Sequence, residues 1–204
     1  MAKKPLPTPD VLRQLLNYDA ETGTFTWKVR SVQFFPEKSS RTPAHSAAIW
    51  NSQYSGKPTF ITPATNGYLM GQVFKQALLA HRVAWAMYFG DWPASEIDHI
   101  NGVKTDNSIA NLRQATRSQN NANRAANVGR KYKGVYQHRH RWCAYIQHSG
   151  KSHYLGSFGT QEQAARAYDA AALDQHGEFA GLNFPDFIAR TQDALRHLLK
   201  GSAK

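Results

Sequence analysis

The chain has 204 residues, enough for one large domain or two small ones, and two are expected. Lys and Arg number 25 against 14 Asp and Glu, and the net charge of +11 points to a polyanionic partner. Cys143 is the only cysteine, which excludes an intramolecular disulfide and a zinc site built from several thiolates, so a catalytic metal would need oxygen or imidazole ligands. There is no run of 18 apolar residues, and the opening MAKKPLPTPD lacks the apolar stretch of a signal peptide. No membrane partner and a cytoplasmic location are therefore expected.

In chain order, residues 9 to 17 read as a short helix, and TGTFTWKV, with alternating residues and a turn glycine, as a strand pair. Ser31 to Pro63 is rich in Ser, Pro and Gly and reads as loops that could include one strand. NGYLMGQVF and QALLA read as paired strands leading into a helix over HRVAWAMYFG, which GDWPAS breaks. His81 and Arg82 open that helix beside Val83, Ala84, Trp85 and Phe89. Packing is expected of His81, while Arg82 could touch phosphate.

EIDHI then reads as a strand, NGVKTDNSIAN as a polar loop and LRQA as a second strand. A helix opens at Thr116, where Thr116 and Gln119 have capping-box spacing. Its text, RSQNNANRAAN, is almost free of large apolar side chains, so one face is expected to do chemistry or meet DNA. Val128 to Lys131 reads as a linker. KGVYQHR, RWCAYIQHS and KSHYLGSF read as three consecutive strands, QEQAARAYDAAALDQHG as an Ala-rich helix closed by Gly177, and Asp186 to Leu199 as a last helix. Between Asp106 and Glu162 there is no acidic residue, a charge placement suited to a phosphate backbone.

The segment EIDHINGVKTDNSIANLRQATRSQNNANR resembles the HNH nuclease family, in the asparagine-ending form common among phage and intron homing endonucleases. The resemblance rests on Asp98 and His99 at a strand end, Asn111 twelve residues after His99, and Asn120 nine further on. It implies a strand, loop, strand and helix folded around one divalent ion, the order already read from the residues. It makes His99 the general base, Asp98 and Asn120 the ligands of Mg²⁺ or Mn²⁺, and Asn111 the residue that ties down the loop. Asn123 stands as an alternative second ligand. These types suit the chemistry. Phosphodiester hydrolysis needs an activated water and neutralised phosphate charge, and a histidine titrating near neutral pH can take the proton. AHRVAWAMYFGDWP and LLNYDAETGTFTWKV are similar to the usual lead-in of this subfamily.

KGVYQHR, RWCAYI, YLGSF, EQAARAYDAAAL and LNFP together resemble the APETALA-type DNA-binding domain of plant ethylene-response factors, which lays a three-stranded sheet in the major groove. Alternation turns Val135, Trp142, Ala144, Ile146 and Leu155 toward the helix through Ala164, Ala165, Tyr168 and Ala172. The other face then carries Tyr136, His138, Cys143, Tyr145, Gln147, Ser152 and Tyr154. Arg139 and Arg141, placed in the first turn, could hold phosphate or reach a guanine edge. With Lys133, Arg117 and Arg124 these residues make up the expected DNA contacts, Cys143 apart.

The expected architecture is α+β: a ββα-metal nuclease module with its accessory segment over residues 1–127, a three-stranded antiparallel sheet packed on one helix over 128–185, and a terminal helix over 186–204. The expected function is a site-directed, homing-type endonuclease on double-stranded DNA, in a host cytoplasm if phage-encoded. One site per chain favours nicking unless two copies assemble, and the oligomeric state stays open. The rivals are a DNA-binding regulator with an inactive nuclease fold and an RNA-directed protein.

Overall fold

The computed structural model describes residues 5–37, 40–127 and 129–186. The chain divides between Thr116 and Arg117 into two compact units. Among the described residues no helix is long and apolar enough to cross a membrane.

In the N-terminal unit, helix α1 (Pro9–Leu15) starts where Thr8 Oγ1 accepts the Val11 amide at 3.3 Å, and Pro9 sits in the first turn, where a missing N–H costs nothing. Arg13 ties the helix to the Met87 carbonyl through Nε at 2.9 Å and Nη2 at 2.7 Å. A first antiparallel sheet runs in the order β1 (Leu16–Tyr18), β2 (Phe25–Trp27) and β3 (Pro58–Thr59). Helix α2 (Pro43–Tyr54) lies between β2 and β3 in sequence. A second antiparallel sheet takes the order β4 (Thr62–Pro63), β5 (Leu69–Val73) and β6 (Gln76–Leu79). It feeds helix α3 (Ala80–Phe89), which Gly90 stops at φ 88°. The antiparallel pair β7 (Glu96–His99) and β8 (Leu112–Ala115) sets Asp98 opposite Arg113 and His99 opposite Leu112.

One apolar core joins these pieces through Leu12, Leu15, Leu16, Phe25, Val73, Val83, Ile97 and Leu112. Burying a side chain of this size contributes about 1.5–3 kcal/mol. Ile97 and Leu112 thereby pin the β7–β8 pair, and the polar residues beside them inherit a fixed backbone.

The C-terminal unit opens with α4 (Arg117–Asn123), which has no buried residue. Strands β9 (Val135–His138), β10 (Arg141–His148) and β11 (Lys151–Phe158) form an antiparallel sheet in the order β11-β10-β9. Helix α5 (Gln161–His176) is started by a capping box, with the Gln163 amide on Thr160 Oγ1 and the Thr160 amide on Gln163 Oε1, each at 3.2 Å. Ala164, Ala165, Tyr168 and Ala172 pack it against Val135, Ala144 and Ile146, and the small side chains let helix and sheet close tightly. Gly134 marks the tightest approach, at φ +73°: a Cβ there would stand 2.1 Å from the Tyr168 ring and 2.6 Å from the Tyr145 carbonyl. Buried Asp169 fastens the LNFP segment, its Oδ1 accepting the Asn183 amide at 2.8 Å and its Oδ2 the Phe184 amide at 2.9 Å.

Several elements depart from the sequence reading. The stretch from Ser31 to Pro63, expected as loops, contains the whole of α2. That helix buries only Ala47, so it has no apolar stripe to betray it; its signal is Thr42–Pro43, a cap whose Oγ1 accepts the His45 amide at 3.2 Å. The first helix stops at Leu15, and TGTFTWKV holds only the second strand of a pair whose first is Leu16–Tyr18. The helix expected to run to Asn127 ends at Asn123, because the Ala122 carbonyl, which a longer helix would offer to Ala126, accepts the Gly181 amide at 3.0 Å and the Lys133 ammonium instead. The helix expected over 186–199 lies outside the described residues, apart from its first position.

Candidate active site and nucleic-acid interface

The loop joining β7 to β8 is folded by its own side chains. Asn111 Oδ1 accepts the Asn101 amide at 2.9 Å while its Nδ2 donates to the Asp106 carbonyl at 2.9 Å, so one buried side chain spans the loop. Asp106 adds a second brace, accepting from Ser108 Oγ at 2.7 Å and from Asn101 Nδ2 at 2.8 Å. Between these braces Asn107, 1% exposed, donates Nδ2 to the Thr105 carbonyl at 3.2 Å, which turns its Oδ1 toward His99 Nε2 at 3.3 Å. An amide oxygen only accepts, so Nε2 carries the proton in this pair and Nδ1 carries the lone pair.

The His99 ring is 3% exposed, with His81 edge-on at 5.2 Å and Tyr68 at 5.6 Å between ring centroids. Burial lowers its pKa below the ordinary imidazole value, against the hydrogen bond to Asn107 Oδ1 and the charge of Asp98, which raise it. His81 is pushed down to about 3, first by burial and then by the charges of His99 and Arg82, and its buried Nδ1 has no hydrogen-bond partner. A neutral imidazole is thus held against a second neutral imidazole. Asp98, next along β7, is 4% exposed and accepts Arg113 Nε at 2.9 Å and Nη2 at 2.8 Å on the same oxygen, Oδ2. That pairing fixes the plane of the carboxylate. The two terminal nitrogens of Arg82 donate to the Ser95 and Pro93 carbonyls at 3.2 and 3.1 Å.

The loop is also held from the N-terminal hairpin. Tyr18 OH donates to the Asn107 carbonyl at 2.8 Å, the Ile109 amide reaches the Ala20 carbonyl at 2.9 Å, and a Cβ on Gly23 would stand 2.3 Å from the Asn107–Ser108 peptide. Tyr18, Tyr68, Asp106 and Asn107 were not singled out from the sequence. The run TDNS signals a turn, but which of its side chains faces the ring is decided by loop closure through Asn111.

The Asp98 carboxylate and the Asn120 side-chain amide oxygen are each hard oxygen donors, of the type that suits a divalent ion able to keep several waters. Among the described residues no three His, Cys, Asp or Glu gather as they would in a denser metal cage. Asp98 lies in the N-terminal unit, and Asn120 and Asn123 lie on α4 in the C-terminal one.

In the C-terminal unit the face of the sheet away from α5 carries three tyrosines in a row, with Tyr136–Tyr145 at 5.6 Å and Tyr145–Tyr154 at 5.3 Å between ring centroids. Tyr136 and Tyr154 are exposed, as are Gln147, Ser152 and His138. Arg130 lies over the Tyr136 ring at 4.0 Å, and Arg124, Gln147 and Ser152 share with both a cleft of about 380 Å³. Arg117 and Arg124 are exposed. Arg139 occupies the tip of the β9–β10 hairpin at φ 53°. Three placements differ from the sequence reading. Arg141 begins β10 opposite His138 rather than sitting in the turn, and its guanidinium holds Ser157 through Oγ at 2.8 Å and the carbonyl at 2.7 Å. Lys133 lines the cleft, yet its half-buried ammonium donates to the Ala122 carbonyl, and burial lowers its pKa to about 8. Cys143 is buried although it lies on the tyrosine side, beneath Tyr136, His138 and Tyr145.

Comparison with known proteins finds two family matches along the chain. The profile of a family described as HNH endonuclease matches residues 78–122, and that of the AP2 domain matches residues 130–178. The chain carries an HNH endonuclease domain followed by an AP2 domain. It is 36% identical over 92 residues to an uncharacterized HNH endonuclease of Acanthamoeba polyphaga mimivirus, covering 45% of this chain and 48% of that one. It is 39% identical over 93 residues to the AP2-like ethylene-responsive transcription factor ANT of Arabidopsis thaliana, covering 44% and 16%. To APETALA2-like protein 2 of Oryza sativa subsp. indica it is 47% identical over 55 residues, covering 26% and 13%. The chain thus spans about half the length of the viral relative and under a fifth of these two plant relatives.

Proposed function

We propose that the protein is a site-directed, homing-type DNA endonuclease whose C-terminal sheet binds duplex DNA while His99 and its neighbours hydrolyse one strand. The observation that carries this reading is His99 itself: a buried imidazole, kept neutral by burial and held through Nε2 by Asn107, inside the segment that matches the HNH endonucleases. HNH nucleases generally use a divalent metal ion. In this reading Asp98 and Asn120 hold Mg²⁺ or Mn²⁺, with Asn123 as the alternative to Asn120, and the bound ion supplies charge neutralisation at the phosphate.

His99 takes the proton of the attacking water on Nδ1 while Asn107 steadies the imidazolium through Nε2. Asn111 acts at a distance by keeping the loop closed around Asn107. The strand breaks to a 5′ phosphate and a 3′ hydroxyl. Residues 1–127 serve as the cutting module and 128–185 as the reader, with Tyr136, His138, Arg139, Tyr145, Gln147, Ser152 and Tyr154 toward the groove and Arg117, Arg124, Arg141 and Lys133 beside the phosphates. Arg141 and Lys133 would have to give up their present partners to do so, which makes them the weakest of these contacts.

Incubating the full chain with supercoiled plasmid tests the reading. Nicked circles are expected with Mg²⁺ or Mn²⁺ and none in excess chelator. Cutting that persists in chelator excludes this centre, and duplex binding without cutting under any divalent ion favours a regulator with an inactive nuclease fold.

A further inference from the structure

The N-terminal unit carries a second surface that the cutting site does not use. Arg30 lies with its guanidinium carbon 3.9 Å from the centroid of Trp50, 5.2 Å from Trp27 and 5.7 Å from each of Phe35 and Phe74. Its buried Nε has no hydrogen-bond partner, while its backbone is clamped on both sides by Asn51, which accepts the Arg30 amide at 2.8 Å and donates to its carbonyl at 3.0 Å. Helix α2 therefore exists at this point to bring Trp50 against Arg30. Tyr54, one turn further on, continues the aromatic row at 5.2 Å from Trp50.

These side chains line a depression of about 790 Å³ that also takes in Ile61, Phe74 and Lys75 and, among the described residues, has no Asp or Glu in its lining. Phe74 and Lys75 form the two-residue tip of the β5–β6 hairpin, and both have positive φ, 51° and 62°. Asn-Gly or Gly-Gly would adopt that turn without strain, whereas a phenylalanine and a lysine are forced into it. The tip leaves Phe74 40% exposed and Lys75 exposed. Strain kept where an aromatic and a cation are presented together marks a surface that meets something.

We infer that this depression is a stacking site for unpaired bases of single-stranded DNA, with Phe74, Trp50 and Tyr54 against the base faces and Arg30 and Lys75 toward the backbone phosphates. The inference rests on the reading of the chain as a DNA nuclease, since strand cutting releases ends that can unpair. A duplex does not fit this chemistry, because its base faces are already stacked. An apolar peptide would leave the two cations without a counterpart, whereas phosphate oxygens pair with them.

The test uses the full chain in chelator, so that no cutting intervenes, with an iodouracil-bearing oligothymidylate as ligand. Saturable binding is expected, with photocrosslinks inside residues 27–75. Phe74→Gly should weaken it about tenfold or more while the melting temperature stays level or rises, because the same change relieves the turn. A purely structural Phe74 gives the opposite pattern, with lower stability and unchanged binding. Crosslinks confined to residues 117–186, no saturable single-strand binding by the unaltered chain, or full binding by Phe74→Gly would each overturn the inference. Plasmid nicking by the unaltered chain is scored separately. Nicking without single-strand binding defeats this inference alone, and single-strand binding without nicking defeats the endonuclease reading alone.

Discussion

In the N-terminal unit the polar groups that matter are few and buried: Asp98, His99, Asn107 and Asn111 are all under 8% exposed and each has a named partner. In the C-terminal unit they are many and open, with Tyr136, Gln147, Ser152, Tyr154 and Arg124 at the surface and an acid-free sequence around them. The difference is the one that the two proposed roles would require. A group that moves a proton needs a fixed position and a tuned pKa, which burial supplies. A surface that binds a polyanion needs reach and charge, and gains nothing from being dry. Substitutions in the first region should therefore act steeply and singly, and those in the second in graded fashion and with strong dependence on salt.

The largest effect expected is at His99. His99→Ala should slow single-turnover cleavage by about 10² to 10⁴ and leave duplex affinity unchanged. Asp98→Ala should be equally inactive but less stable as well, because it leaves the Arg113 guanidinium, 13% exposed, without the carboxylate that now accepts it. A His99→Ala enzyme cutting within a few-fold of the unaltered chain would remove the buried cluster from the chemistry. On the open face the expected changes are smaller. Gln147→Ala or Tyr145→Ala should reorder the preferred sites in a pool of random duplexes at about 1–3 kcal/mol per altered contact, whereas Arg124→Ala should weaken all duplexes alike and flatten the salt dependence by about 0.9 in slope. If Arg124→Ala changes site preference instead, positioning and reading are not divided as argued.

This contrast also explains what could be seen in the sequence. Strands β9 to β11 and α5 were legible because alternation and an Ala-rich stripe impose a period, and because Gly177 closes the helix. Asp98, His99 and Asn111 stood out through their mutual spacing. Helix α2 did not, since it buries a single alanine and serves to hold Trp50 and Asn51 rather than to fill a core. Asn107 was hidden for another reason. Its orientation toward His99 depends on its own Nδ2 donating to the Thr105 carbonyl, on Asn111 closing the loop at Asp106, and on Tyr18, 89 residues away, donating to its carbonyl, a bond that forms only when distant parts of the chain have packed. The inward turn of Lys133 was equally invisible, because it is set by the Ala122 carbonyl on another element.

Acid should strike the buried region selectively. The His81 pKa falls from the ordinary 6.5 to about 3 on folding, with burial as the main cause. As pH drops below 6.5 the unfolded chain takes up a proton that the folded one refuses, so stability present above 6.5 is lost progressively toward pH 3, at roughly 1.4 kcal/mol per pH unit for each such proton. His99, whose pKa burial also lowers, acts with the same sign. Urea melts at pH 7 and pH 5 should show a marked loss for the unaltered chain and a smaller one for His81→Phe. Phe fills a similar space beside Tyr68, and the His81 Nδ1 has no bond there to lose. Equal losses in both proteins would assign the acid sensitivity to other groups.

The smallest effect tests whether the buried site extends beyond its own loop. Tyr18 stands on β1, 89 residues from Asn107, and touches the site only through its hydroxyl, which donates to the Asn107 carbonyl at 2.8 Å. Tyr18→Phe keeps the ring stacked on Phe25, whose centroid is 4.8 Å away, and removes one hydrogen bond, so a stability loss of about 0.5–1.5 kcal/mol is expected. That loss alone says nothing about function. Because the same residue, Asn107, offers its carbonyl to Tyr18 and its side-chain oxygen to His99, a loosened carbonyl should also loosen the imidazole. Single-turnover cleavage should then fall by a few-fold under conditions where the protein remains fully folded, with duplex affinity unmoved. Gly23→Ala should do the same more strongly, since its Cβ would stand 2.3 Å from the Asn107–Ser108 peptide and force the loop to shift. If both variants lose stability but cleave at the unaltered rate, the N-terminal hairpin is a support for the fold alone, and the positioning of His99 ends at Asn107 and Asn111.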